Sequence, residues 1–208
     1  MTAAIICNGS ISDFDYHRRL VKDCSLIICA DGGALYAKKM NINPHVIIGD
    51  FDSCKREYAD SFTGAKVIGF PSEKDETDAH LAVEYALSQG EKHIILLGAI
   101  GTRLDHTLVN LGLLQTIKAA GGKGEIINEY NRVSMVEGSD RVKGKGALVS
   151  LVPFGGDVRG LTLRGFKYPL EDFTLRMGSS RGVSNVLLED TGYISVRDGT
   201  LLMIQSRD

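Results

Sequence analysis

The sequence predicts an α/β + β fold: a doubly wound α/β domain with a mostly parallel sheet, then a smaller antiparallel β-sandwich. Three observations carry this. In the first ~130 residues, short and almost uninterrupted Ile/Val/Leu runs alternate with longer stretches of helical pattern. After that point the pattern changes to period-two alternation broken by glycine-rich turns. The composition, 43% hydrophobic and 24% charged, is that of an ordinary globular protein.

Taken in order, the runs "AAIIC", "SLIICA", "HVIIG", "KVIGF", "HIILLG" and "GEIIN" read as strands covered on both faces of a parallel sheet. Between the fourth and fifth lies "TDAHLAVEYALSQG", where Ala79, Ala82, Val83, Ala86 and Leu87 fall on one helical stripe and Gly90 reads as the C-cap. A second helix is expected from about Asp105. His106 and Asn110 share its stripe with Leu113, Leu114 and Ile117, which argues for a packed rather than catalytic histidine. Strand–helix alternation implies right-handed crossovers. Later, "LTLRGF", "FTLRM" and "YISVRDGTLLMIQS" alternate as half-buried strands, and Asp198-Gly199 between two such runs signals a hairpin. The expected domains are residues 1–130 and 131–208, with the boundary between Asn128 and Ser139. A β domain of this size is marginally stable alone, so it is expected to pack on a neighbour or a second copy.

Charge and cysteine usage narrow the function classes. Twenty-four basic against twenty-six acidic residues leave a net charge of −2, no electrostatic footprint for nucleic acid or an anionic membrane. No apolar run approaches the ~20 residues of a membrane span. The N-terminus enters an apolar run without a basic region or cleavage site, so no signal peptide is expected. Cys7, Cys24, Cys29 and Cys54 show no CxxC spacing and read as reduced thiols of a cytoplasmic protein.

The residues with chemical potential cluster just after the strands. Strand two ends in "ADGGA" and brings Asp31, while strand three ends in "GDFDS" and brings Asp50 and Asp52. The fourth is followed by "PSEKDETD" with Lys74, Asp75, Thr77 and Asp78, the fifth by "GAIGTRLDH" with Gly98, Gly101, Arg103, Asp105 and His106. In an open parallel sheet these loops emerge at one edge, where such folds bind ligands. Asp50 and Asp52, two apart in an extended segment, can face one cation. One Asp near Thr77 serves as a helix cap, but two acids plus Lys74 exceed what a cap requires. Gly98-x-x-Gly101 lacks the first glycine of a dinucleotide fingerprint, yet leaves bare backbone before a helix, a cradle for phosphate with Arg103 as clamp. Hard oxygen ligands on several loops suit Mg²⁺ held with a polyphosphate.

In this order, "ADGG", "GDFDS", "KDETD" and "GxxGxRxDH" resemble the thiamine pyrophosphokinase (thiamine diphosphokinase) family. The stretch "SLVPFGGDVRGLTLRGFKYPL" followed by "GSSRGVSN" is similar to the β domain of its bacterial members. The resemblance implies Mg²⁺-dependent transfer of a diphosphoryl group from ATP to the hydroxyethyl oxygen of thiamine, giving thiamine diphosphate and AMP. It implies a homodimer with the thiamine pocket between the β domain of one subunit and the α/β domain of the other. Residue by residue, it implies an acidic, magnesium-holding catalytic centre of Asp50, Asp52, Asp75 and Asp78. An ATP site would take Asp31, Gly32, Gly33, Lys74, Thr77, Gly98, Gly101 and Arg103, with Asp105 at its edge. Ser184 and Asn185 would reach the thiamine ring from the partner subunit, and Asp75 or Asp78 would orient or deprotonate the hydroxyl. Without tryptophan, the ring is left to Met203, Tyr193 or Phe166. Two rivals are a nucleotide-sugar glycosyltransferase using D-x-D, and a non-enzymatic nucleotide or thiamine sensor.

Overall fold

The computed structural model describes residues 1–54 and 56–207, and within it the chain divides into two compact units, Met1–Glu129 and Tyr130–Asp208. Lys55 and Asp208 lie outside the described residues. Among those described, no helix is long and apolar enough to cross a membrane.

The first unit is built on β1 (Thr2–Ile6), β2 (Leu26–Ala30), β3 (Val46–Gly49), β4 (Lys66–Gly69), β5 (His93–Leu97) and β6 (Lys123–Ile127). All are parallel, in the order β6-β5-β1-β2-β3-β4. Each coincides with one of the apolar runs. β4 departs from the expected double coverage: it is the edge strand and half exposed, and it stays short and opens on Lys66, as edges that avoid further pairing do. The helices are α1 (Phe14–Val21), α2 (Gly33–Lys39), α3 (Arg56–Ala59), α4 (Asp78–Ser88) and α5 (Leu104–Ala119). Strands are laid down outward from β1 to β4, then the chain returns to place β5 on β1's other side. The switch in direction opens a crevice beside β1 at the carboxyl ends.

α4 buries Ala79, Ala82, Val83 and Ala86, four of the five residues of the stripe read from the sequence, and leaves the fifth, Leu87, half-buried near its end. Its cap is Gln89, and Gly90 supplies the left-handed residue just beyond (φ +82°). α5 buries Asn110, Leu113, Leu114 and Ile117, but His106 is exposed. The expectation of a packed histidine fails: the stripe is covered from Asn110 onward, while in the first turn of α5 Leu104, Asp105 and His106 are all exposed.

The second unit is a sandwich of two antiparallel layers. One runs β12 (Asn185–Val186), β9 (Leu148–Pro153), β14 (Leu201–Ser206), β7 (Asn131–Val136). The other runs β11 (Leu170–Leu175), β10 (Val158–Arg164), β13 (Thr191–Ser195), β8 (Ser139–Lys143). Val149, Leu151, Leu161, Leu163, Ile194 and Leu201 meet between them. The Asp198-Gly199 turn does not close a hairpin. β13 and β14 lie in different layers, so the turn is a corner that carries the chain across the sandwich. The Asp198 backbone instead pairs with Arg159 at 2.8 and 3.1 Å, and Gly199 (φ +95°) allows the reversal.

Candidate active site

Parallel pairing of Ala30 with Ile48 sets the ends of β2 and β3 side by side, and the next residues are Asp31 and the Gly49-Asp50 step. The Asp31 N–H donates to the Ile48 carbonyl at 2.7 Å. A Cβ on Gly49 would fall 2.9 Å from that of Asp31, so glycine there is what lets the two strand ends approach. Asp78 arrives from the loop after β4 as the first residue of α4, whose cap Thr77 accepts the His80 N–H at 3.2 Å. One carboxylate oxygen from each of Asp31, Asp50 and Asp78 then lies within 4.8 Å of the others.

Asp31 is 5% exposed, its Oδ1 has no hydrogen-bond partner, and it sits in the left-handed region (φ +41°). Burial pushes its carboxyl pKa up, and the neighbouring Asp52 and Asp50 charges add to this against hydrogen bonds from Ser53 and Gly32. Burial raises Asp78 too, against the opposing pull of Lys74. The Lys74 ammonium stands 2.8 Å from Asp78 Oδ1 and 3.5 Å from Asp50 Oδ2, its side chain 12% exposed. The 2.8 Å contact is a short, partly buried ion pair. Burial alone would lower the Lys74 pKa; Asp78 and Asp50 outweigh it and hold it above its usual value.

These residues form part of the wall of a cavity of about 650 Å³, a size suited to a nucleotide-sized ligand. Gly98, Gly101, Thr77, Arg103 and His106 line it as well. Gly98 takes φ +61°, and the loop it opens is pinned by Asn110, whose buried amide donates to the Ala99 carbonyl at 2.8 Å. Arg103 is exposed and paired to Asp105 at 2.6 Å. The guanidinium holds the Asp105 pKa down at about 2, helped by the His106 N–H.

Not every residue singled out in the sequence meets here. Asp52 lines the cavity but stands outside the three-carboxylate group, because Phe51 takes φ +63° and breaks the extended geometry that would have aligned it with Asp50. Such a value for a bulky side chain is strained, and strain of this kind clusters at functional sites. Asp75 is exposed and belongs neither to the group nor to the lining; Asp105, Gly32 and Gly33 also do not line the cavity. The two glycines have a packing reason: a Cβ on Gly33 would collide with the Ile6 carbonyl at 1.9 Å, and one on Gly32 with Asn8 at 2.3 Å. The sequence reading omits Asn8, Gly9 and Ser10, which line the cavity from the end of β1. Their signal was an Asn-Gly step directly after the first apolar run.

In the second unit Ser184 is exposed at φ +57°, and Asn185 is buried. The Asn185 Oδ1 accepts the Tyr168 N–H at 3.0 Å while its amide donates to the Tyr168 carbonyl at 2.8 Å, clamping that backbone. Met203 and Phe166 are core residues, whereas Tyr193 is exposed with the Arg141 guanidinium 5.3 Å above its ring.

Comparison with known proteins bears on both units. Residues 17–123 match the family model of the thiamin pyrophosphokinase catalytic domain, and residues 137–201 that of the thiamin pyrophosphokinase vitamin B1 binding domain. The chain is 33% identical over 194 residues to thiamine pyrophosphokinase of Bacillus subtilis, covering 88% of each. The crystal structure of the Bacillus subtilis enzyme superposes with a TM-score of 0.88 over the whole of both chains at 30% identity. That of thiamin pyrophosphokinase from Geobacillus thermodenitrificans does so with 0.85 at 31% identity, covering all of this chain and 98% of the other.

Proposed function

The chain belongs to the thiamine pyrophosphokinase family, and from that premise we propose that it converts ATP and thiamine to AMP and thiamine diphosphate with Mg²⁺. The observation that carries the metal and nucleotide part of this reading is the convergence of Asp31, Asp50 and Asp78 in a nucleotide-sized cavity, with a buried Asp31 oxygen that has no partner. Three hard carboxylate oxygens within 4.8 Å of one another fit Mg²⁺, which Asp31, Asp50 and Asp78 would hold and which would supply positive charge to offset that developing on the leaving group.

The remaining roles fall to the chain. The thiamine hydroxyl oxygen attacks the β-phosphorus, the bond from that phosphorus to the α-bridging oxygen breaks, and the hydroxyl proton is released. Lys74 and Arg103 neutralise phosphate oxygens, Arg103 being held at the cavity mouth by Asp105. The Gly98–Gly101 loop presents backbone to the polyphosphate, and Thr77 fixes Asp78 by starting α4 where it does. Asp52 faces the ligand from the cavity wall, and exposed Asp75 adds to the negative rim that draws in cationic thiamine. We assign Ser184, and the Tyr168 segment clamped by Asn185, to the thiamine ring across a homodimer. Exposed apolar residues on α5, Leu104, Leu108 and Val109, favour such an assembly. The free cysteines suit a cytoplasmic setting.

The test is product analysis on purified protein with ATP and Mg²⁺, with and without thiamine. Thiamine-dependent AMP matched by thiamine diphosphate is the expected result. ADP in its place would mean transfer of a single phosphoryl group and would overturn the mechanism, while no turnover would overturn the activity.

A further inference from the structure

The same geometry holds a second feature, which rests on the reading of the three acids as the metal site. Lys74 already supplies a positive charge to two of them. Its ammonium lies between Asp50 and Asp78 at 3.5 and 2.8 Å, in a position 12% exposed. The third acid, Asp31, takes no share of it and keeps an unpartnered oxygen. Charge balance explains the arrangement. Three acids so close, one buried and two half-buried, repel one another, and a tethered cation is the cheapest partial relief. A divalent ion drawn to the oxygens that the ammonium faces, Asp50 Oδ2 and Asp78 Oδ1, would be repelled by it at contact distance.

We propose that Lys74 is a placeholder for the metal: its ammonium occupies the carboxylate group until Mg²⁺ enters, and entry of the metal expels it toward the phosphates. Lys74 sits in the loop before the α4 cap, so its backbone can shift without unwinding the helix that fixes Asp78. The consequence is a lysine that works against metal affinity in the free enzyme and for phosphate binding in the loaded one. One side chain thereby couples the two events.

Two measurements test this without turnover. Mn²⁺ binding, followed by electron paramagnetic resonance on nucleotide-free protein, is compared in the wild type, Lys74→Met and Arg103→Met. Lys74→Met is expected to bind Mn²⁺ about tenfold more tightly, and Arg103→Met, which removes a charge from the same rim, to stay within about twofold of wild type. Equal affinity in wild type and Lys74→Met overturns the placeholder role, as does an equal gain in both variants, which would indicate diffuse charge. Mn²⁺ binding to none of the three overturns the metal assignment itself, which separates that failure from this one. The second measurement needs no variant. The rate at which an amine-reactive reagent labels Lys74, read by mass spectrometry, is expected to rise severalfold on adding Mg²⁺ while the other lysines hold steady. A rate that falls or does not change refutes the expulsion.

Discussion

Asp31→Asn separates stability from function at this site. The variant keeps the shape of the side chain and removes its charge. At the 4.8 Å limit and an effective dielectric of about 20, each like-charge pair costs roughly 3 kcal/mol. Asp31 makes two such pairs, with Asp50 and Asp78, and Lys74 relieves only its neighbours. Allowing for that relief, the net gain expected at pH 8 is about 1–3 kcal/mol, or ~3–10 °C in Tm. The raised pKa has a definite sign: folded-state stability from Asp31 is present below its usual value of 3.8 and is lost as pH rises through the raised value, so the advantage of the variant grows with pH. Mg²⁺ reverses the order. A ligand at one hundred times its Kd stabilises the wild type by about 2.7 kcal/mol and should leave Asp31→Asn almost unmoved. The assay is a pair of thermal melts at pH 8, with and without Mg²⁺, in which the order of the two proteins exchanges while the variant loses turnover. A variant less stable than wild type without metal, or one that keeps the Mg²⁺ response, would refute the account of Asp31 as an uncompensated metal ligand.

Other perturbations test the supporting structure. Gly9→Ala places a Cβ 2.3 Å from the Gly98 carbonyl and 2.6 Å from that of Ile100, so the loops after β1 and β5 must part; a loss of about 2 kcal/mol or more and a raised ATP KM are expected, and normal values of both would show the loops are not so constrained. Glu129 accepts the Ser12 and Asp13 N–H groups at 2.6 and 2.8 Å, and although burial opposes it, these donors hold its pKa at about 2. Its contribution, roughly 3 kcal/mol, is therefore present above pH 4.5 and lost as pH falls toward about 2. Urea unfolding of Glu129→Gln should show a deficit at pH 7 that closes in this window, and a deficit constant with pH would contradict the assignment. Asn185→Ala strands the Tyr168 N–H and carbonyl at a cost of about 1–3 kcal/mol and should raise the KM for thiamine more than that for ATP; an effect confined to ATP would remove this segment from the thiamine site.

Local pattern was enough to place the strands of the first unit, the buried stripe of α4 and the rim on which the acids gather. Simple rules suffice for these: an unbroken Ile/Val run wants burial on both faces, a 3.6 period wants one, and parallel connection sends every strand's outgoing loop to the same edge. The four motif stretches likewise pointed to the family that the comparisons identify. Which acids converge was not decided locally. Asp50 and Asp52 are two residues apart, yet only Asp50 joins the group, because a left-handed Phe51 turns the chain between them. Asp31 and Asp50 are nineteen positions apart and meet, because β2 and β3 pair in register and Gly49 leaves room. The exposure of His106 and the corner at Asp198-Gly199 have the same origin. Each depends on what a distant element does or does not cover, and spacing along one segment carries no record of it. Periodicity fixes which face of an element is apolar; only the packed neighbours fix which charges are brought within a few ångströms and left without water.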